Sequence, residues 1–246
     1  MPQPLAIVEI LGRSEQGMTR PFLCRCEDHN LYFVKGRAAS ARSLICEWLG
    51  GHLAQAFGLP IPPFSIAQAA PDLLDLHPEG RDLGHLPLFA SRRREHTQEF
   101  TVSHLGDVDA TLQRDIAVFD WWIGNGDRTL TTLSGNPNLL WDTSAHALVV
   151  IDHNLAFDAD LDAATYRATH VFAGQIPFLN HDLIEPARYR QKIAQVLEIW
   201  PEACNTLPPE WKFADEEQTV PTAFDAAAAL DLLNRYASED FLRLMP

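Results

Sequence analysis

The sequence predicts an α+β protein, rich in strands over its first hundred residues and mainly helical after that. Two observations carry this: strand-like apolar runs crowd the first third, and beyond Phe100 the apolar residues recur at helical intervals. At 246 residues and 27.5 kDa the chain is long enough for one large domain or two small lobes. With 46% hydrophobic and 21% charged residues it has the balance of a folded globular protein, which excludes disorder, collagen-like repetition and coiled coil. The composition shifts near residues 95–107, dividing a first part, 1–98, from a second, 99–246.

In chain order, LAIVEILGR, PFLCRC and LYFVKG read as a three-stranded meander, the last two joined by the turn-forming EDHN. A helix follows from Ala39 to Phe57, with Leu44, Trp48, Leu49, Leu53 and Phe57 at helical spacing, Ser40 as N-cap and Gly58 as stop. FSIAQAA and LPLFASRR supply a fourth and a fifth strand around the loop-like DLHPEGRDLG. A second helix carries the stripe Leu112, Ile116, Phe119 and Ile123 behind the capping candidates Asp107 and Asp109, and runs into IGNGDR. NLLWD and ALVVIDH are spaced as a hairpin. PARYRQKIAQVLEIW and FDAAAALDLLNRYASEDFLRLM are helical, separated by the proline-containing PEACNTLPPEW.

A net charge of −14 opposes binding to nucleic acid or an anionic membrane. Four cysteines (24, 26, 46 and 204) are too few for a disulfide framework and are not arranged as a zinc site. No apolar run approaches the roughly 20 residues of a membrane helix, and the opening MPQPLAIVEILGRSEQG lacks the pattern of a secretory signal. The expected location is the cytoplasm.

Five residues, with Asn136 as the alternative to Asn138, could carry chemistry. Lys35, the only lysine in the first 191 residues, ends a strand, where an ammonium has a fixed position from which to pair with phosphate oxygens. Its plainer reading is an edge-strand lysine that discourages aggregation. Glu47, 12 residues later, sits on the following helix beside Cys46 and Trp48; half-buried, it would need Lys35 as partner, and otherwise it is solvated. Asp127, in Asn125-Gly126-Asp127-Arg128, emerges on a loop held by a packed helix and could align an attacking hydroxyl, although N-G-D is also an ordinary turn. Asn138, and after it Asn136, precede an apolar strand and could offer a carbonyl to a hard cation or simply form an Asn-Pro turn. Asp152 ends a run of four apolar residues and needs compensation, from Mg²⁺ or alternatively from an arginine or a helix N-terminus. Arg128 could brace its loop through Asp152 or a backbone carbonyl, with Asp120 as the other bracing carboxylate. Of the adjacent Trp121 and Trp122, at most one shares the core stripe fully, which leaves the other for a neighbouring lobe or a partner, although core filling is the default for both.

Strand lysine, helix glutamate, N-x-D-R after a helix, asparagine before a hairpin and I-D-H follow one another in an order shared by protein-kinase-like enzymes. From about Gly17 to Phe157 the chain resembles the HipA-like kinases, with a wider likeness to phosphoinositide-kinase-type catalytic loops; GNGDR, NPNLL and IDHNLAF are the most specific portions. The resemblance implies a bilobal protein-kinase-like fold with a β-rich nucleotide-binding N-lobe (1–98) and a mainly helical catalytic C-lobe (99–246). It also implies ATP and Mg²⁺ as cofactors, Lys35 on phosphate positioned by Glu47, Asp127 as catalytic base, and Asn138 and Asp152 as magnesium ligands. Gly17, Thr19 and Arg20 would stand in the phosphate-covering loop, although Gly17-Met18-Thr19-Arg20-Pro21 lacks that loop's repeated glycines. The implied acceptor is a protein Ser/Thr hydroxyl, with a small-molecule hydroxyl as alternative, and family members often work with an antitoxin-like protein partner. The competing readings are a nucleotide-binding pseudokinase acting as an interaction module and a metal-dependent phosphohydrolase using Asp127, Asp152 and histidines.

Overall fold

The computed structural model describes residues 3–14, 20–131, 135–179, 184–238 and 240–242. The protein is mixed α+β, 43% helix and 20% strand. Its residues group into two compact units: Met1–Trp48, Pro62–Arg94 and Ala203–Phe224 form one, and Leu49–Ile61, Glu95–Glu202 and Asp225–Pro246 the other.

The first unit is built on a closed barrel. Strands β1 (Leu5–Arg13), β2 (Phe22–Cys26) and β3 (Leu31–Lys35) form the expected meander and are followed by helix α1 (Ala41–Phe57) and strand β4 (Phe64–Ala69). Two short helices, α2 (Pro71–Leu76) and α3 (Gly80–Leu83), lead to β5 (Leu88–Arg92). The strand order is β1-β2-β3-β5-β4, and β4 closes the barrel by pairing in parallel with β1, Leu5 opposite Ala67 and Ile7 opposite Ala69. Closure leaves no open edge. Strand alternation points Phe22, Cys24 and Cys26 of β2, with Tyr32 and Val34 of β3, into the core beside Ile7, Ala67, Leu88 and Ala90. Burial pushes the Cys24 thiol up to about 12 and Cys26 up to about 11, so both act as small apolar fillers.

The segment DLHPEGRDLG, expected as loop, holds the end of α2 and all of α3. Pro71 starts α2 at a position that needs no N–H, and Leu73, Leu74 and Leu83 pack on the barrel core.

The second unit contains β6 (Thr97–Glu99), helix α4 (Ala110–Trp122), β7 (Leu139–Asp142) and β8 (Ala147–Val150). Helices α5 (Ala163–Thr169), α6 (Ile176–Leu179) and α7 (Ile184–Leu197) follow; α8 (Trp200–Asn205) runs on toward the first unit's last segment, and α9 (Ala226–Asn234) returns to the second. Asp109, not Asp107, caps α4: its Oδ1 accepts from Thr111 N at 2.8 Å and Leu112 N at 3.2 Å. The hairpin β7–β8 forms as expected, but β6 pairs on the outer side of β7, a strand whose polar TQE shows no apolar alternation. The last helix is shorter than its alanine-rich pattern implied, ending at Asn234.

Both tryptophans of α4 are buried, as core filling, the default for each, expects. Trp121 Nε1 donates to Phe241 O at 3.1 Å and Trp122 Nε1 to Leu233 O at 2.9 Å, so residues from the chain's end cover the second ring. The region PEACNTLPPEW is likewise more than a separator: Trp211, in a 3-10 turn (Pro209–Lys212) of the first unit, is 2% exposed and donates to Pro87 O at 2.7 Å. Among the described residues no helix is long and apolar enough to cross a membrane.

Gly124 ends α4 at φ +64°, and a Cβ there would lie 2.6 Å from Asp158 O. Gly124→Ala is expected to lower unfolding free energy by about 1–3 kcal/mol. Urea denaturation checks this, and an unchanged midpoint would contradict the close approach.

Candidate active site

In the first unit, Lys35 and Glu47 form a buried ion pair, with the residues 9% and 3% exposed. Two local facts bring them together. Val34 points into the barrel, so Lys35, its neighbour, points outward; Ser40 starts α1 by accepting Ser43 N on its Oγ at 3.3 Å, which places Glu47 two turns into that helix. Strand β3 pairs with β2 on one side and β5 on the other, Lys35 opposite Phe89, so the edge-strand reading of the lysine does not hold. The burial of Glu47 removes its solvated alternative. Of the residues assigned to a phosphate-covering loop, Gly17 and Thr19 lie outside the described residues; Arg20, at φ 39°, donates from Nε to Ser14 O at 3.4 Å.

In the second unit, α4 delivers the chain to Asp127. Asp127 Oδ2 accepts Nδ2 of Asn138 at 2.8 Å and Nδ2 of Asn136 at 3.3 Å. Asn138 is buried and Asn136 exposed. Donating Nδ2 to Asp127 turns the Asn138 Oδ1 away from that carboxylate, the orientation a cation ligand needs. Asp152 lies two residues beyond the end of β8, and its Oδ1 accepts Asn154 N at 3.2 Å. Asn138 and Asp152 both adopt left-handed backbone, φ 47° and 62°, which asparagine and aspartate tolerate best among residues with a Cβ. Asn138 and Asp152 offer hard oxygen donors, and two protein ligands beside phosphate and water suit Mg²⁺.

A buried network sets these backbones. Asp120, on α4, and Arg128 are both fully buried; Arg128 Nε donates to Asp120 Oδ2 at 2.7 Å. Asn125 Nδ2 donates to Asp120 Oδ1 at 2.8 Å. The far side of the guanidinium, Nη1, donates to Asn138 O at 2.6 Å and Ile151 O at 3.1 Å. One arginine thus ties the loop after α4 to the backbone of Asn138 and to the residue before Asp152. Asp120 is its carboxylate, and its other partners are carbonyls.

Sequence reasoning missed the fourth member, His170, which lies 50 residues from Asp120 and has no local signal. Its Nδ1 accepts Phe172 N at 3.2 Å, so Nε2 carries the proton and donates to Asp120 Oδ2 at 3.1 Å. The flanking backbone pairs with the loop after Asp127: Val171 N donates to Arg128 O and Leu130 N to Thr169 O, each at 3.0 Å. Burial by itself would raise the Asp120 carboxyl, but Arg128 and His170 hold it well below the usual carboxylate range. Burial lowers the His170 imidazole despite the pull of Asp120, so it stays neutral.

Asp120→Asn, which strands the Arg128 charge, is expected to cost about 3–5 kcal/mol of stability, and Asp120→Asn with Arg128→Met less than the sum of the two single changes. Chemical denaturation of the four proteins reads this; additive losses would dissolve the pair as a unit. Because folding lowers the His170 pKa, the unfolded chain binds more protons once pH falls below the ordinary imidazole value. The contribution of His170 is therefore complete above about pH 6.5 and declines as pH falls toward the folded value. Melting temperature should drop between about pH 7.5 and 5.5, and less steeply in His170→Gln; parallel profiles would exclude a buried neutral imidazole.

Among solved structures, the Helicobacter pylori proinflammatory kinase CtkA matches with 8% sequence identity over 98% of this chain and 94% of that one, at a TM-score of 0.47. A search of curated proteins finds no match. The family model for HipA-like kinases matches residues 7–245. With that match running over nearly its whole length, the chain belongs to the HipA-like kinase family.

Proposed function

We propose that the protein is an ATP- and Mg²⁺-dependent phosphotransferase that moves the γ-phosphoryl group to a Ser/Thr hydroxyl of a protein, with a small-molecule hydroxyl as the alternative acceptor. Family membership supports the kinase class. The observation that carries the finer reading is the Asn138–Asp127 hydrogen bond of 2.8 Å, which joins a candidate base and a candidate metal ligand 11 residues apart in the chain.

In this reading Lys35, held by Glu47, pairs with phosphate oxygens as a point charge. Asp127 accepts a hydrogen bond from the acceptor hydroxyl, aligns it and takes its proton as the bond from the hydroxyl oxygen to the γ-phosphorus forms and the bond from the γ-phosphorus to the β-phosphate oxygen breaks, releasing ADP. Asn138 and Asp152 hold Mg²⁺, which when bound neutralises charge on the phosphates. The left-handed backbone at both residues and the Arg128 fork on the neighbouring carbonyls keep these groups in place before substrate arrives, so the chemistry is mostly positioning and charge stabilisation.

The test is transfer of labelled γ-phosphate from ATP by the full chain, beside calorimetric binding of Mg²⁺–ATP. Asp127→Asn should keep nucleotide binding and lose about 10²–10⁴-fold in transfer rate. Equal transfer by both proteins would remove Asp127 from its role, and Mg²⁺–ATP binding without any turnover in the wild type would favour a nucleotide-binding interaction module. Lys35→Met and Asp152→Asn should each weaken Mg²⁺–ATP binding, and only Asp152→Asn should raise the Mg²⁺ concentration needed for half-maximal transfer.

A further inference from the structure

Helix α1 carries glycine at positions 50 and 51, in the middle of its 17 residues. An interior glycine weakens a helix relative to alanine, so its presence asks for a packing reason. For Gly50 the reason is on the other side of the contact. A Cβ built there would lie 2.7 Å from the His153 Cβ and 3.3 Å from its Cγ. His153 is 3% exposed, and its ring meets Phe119 of α4 edge-on at 5.9 Å. It is the residue after Asp152.

The other flank of Asp152 is tied to the same stretch of chain. Val150 N donates to Pro60 O at 2.9 Å, three residues beyond the end of α1. Asp152 therefore sits between two attachments to α1 and its continuation, one hydrogen-bonded and one steric. Glu47, the partner of Lys35, lies three residues before Gly50 on the same helix.

We propose that Gly50 is a positioning residue for the Asp152 carboxylate: the bare helix surface at Gly50 admits His153, and this backbone-close contact sets where Asp152 stands. The inference deepens the functional reading above and rests on Asp152 holding the magnesium of Mg²⁺–ATP. Gly50 touches neither nucleotide nor metal in this account; it acts through His153. A methyl group at position 50 has no room unless the 152–153 segment withdraws, and a withdrawn Asp152 holds the cation less well.

The test measures binding of Mg²⁺–ATP, and of ATP in the presence of EDTA, to the full chain by calorimetry. Gly50→Ala should weaken Mg²⁺–ATP binding by about 10- to 100-fold while leaving metal-free ATP binding nearly unchanged. Because the collision is with Cβ, His153→Gly should restore Mg²⁺–ATP binding to the Gly50→Ala protein and His153→Ala should not. A Gly50→Ala protein that binds Mg²⁺–ATP like the wild type overturns the proposal, as does a double variant with His153→Gly that binds no better than the one with His153→Ala. If Gly50→Ala does not fold, His153→Gly alone decides. Loss of the contact should reduce Mg²⁺–ATP binding selectively, and binding equal to the wild type overturns the proposal. Asp152→Asn separates the two failures. If that change leaves Mg²⁺ dependence intact, the magnesium role of Asp152 falls and this inference with it; if it abolishes the dependence while the Gly50 and His153 variants do not, only the role of Gly50 falls.

Discussion

The Asp120–Arg128 pair is the interaction on which the placement of the second unit's candidate site residues depends. Two opposite charges without solvent exposure are stable only if every remaining donor and acceptor is satisfied, and here the surplus hydrogen-bonding capacity is directed at backbone. A lysine could neutralise Asp120 but not replace Arg128. The guanidinium spends Nε and Nη2 on the carboxylate and still presents Nη1 to the carbonyls of Asn138 and Ile151. The consequence is local: the two chain segments flanking the β7–β8 hairpin are held at the residues next to, or at, the proposed cation ligands. Such bracing offsets the cost of left-handed backbone at Asn138 and Asp152, which an unsupported loop would relax.

The first unit solves its own problem by different means. The central place of β3 in the strand order gives it β2 on one side and β5 on the other, so the position of Lys35 is set by two ladders of hydrogen bonds, and alternation along the strand turns it outward. A buried ammonium then requires a counter-charge, which α1 supplies as Glu47. The same helix continues to Gly50, where a missing side chain lets His153 approach. Small residues at such points do structural work that no side-chain inventory reveals.

Much of this was legible in the sequence because it is governed by neighbours in the chain. The meander, the long helix with Ser40 and Gly58 at its ends, the Asp109 cap and the β7–β8 hairpin all follow from periodicity and capping chemistry. The Lys35–Glu47 contact was also within reach, since a charged residue amid apolar helix neighbours demands a partner and one lysine was at hand. Strand β6 was not, because three polar residues acquire strand geometry only from the edge of β7. Helix α3 was not, because four residues hold a helix only when Leu83 is buried.

What the sequence by itself determined is therefore the longer helices, the barrel strands and the β7–β8 hairpin, with the residue types able to do phosphoryl chemistry, each set by interactions spanning a few residues. Tertiary structure decided which groups meet: β4 closing on β1, His170 reaching Asp120 across 50 residues, Arg128 choosing carbonyls, and Gly50 receiving His153. The physical reason is that these contacts are selected by burial. An unpaired charge or an unfilled gap is costly only once water has been excluded, and that condition arises when distant segments pack together.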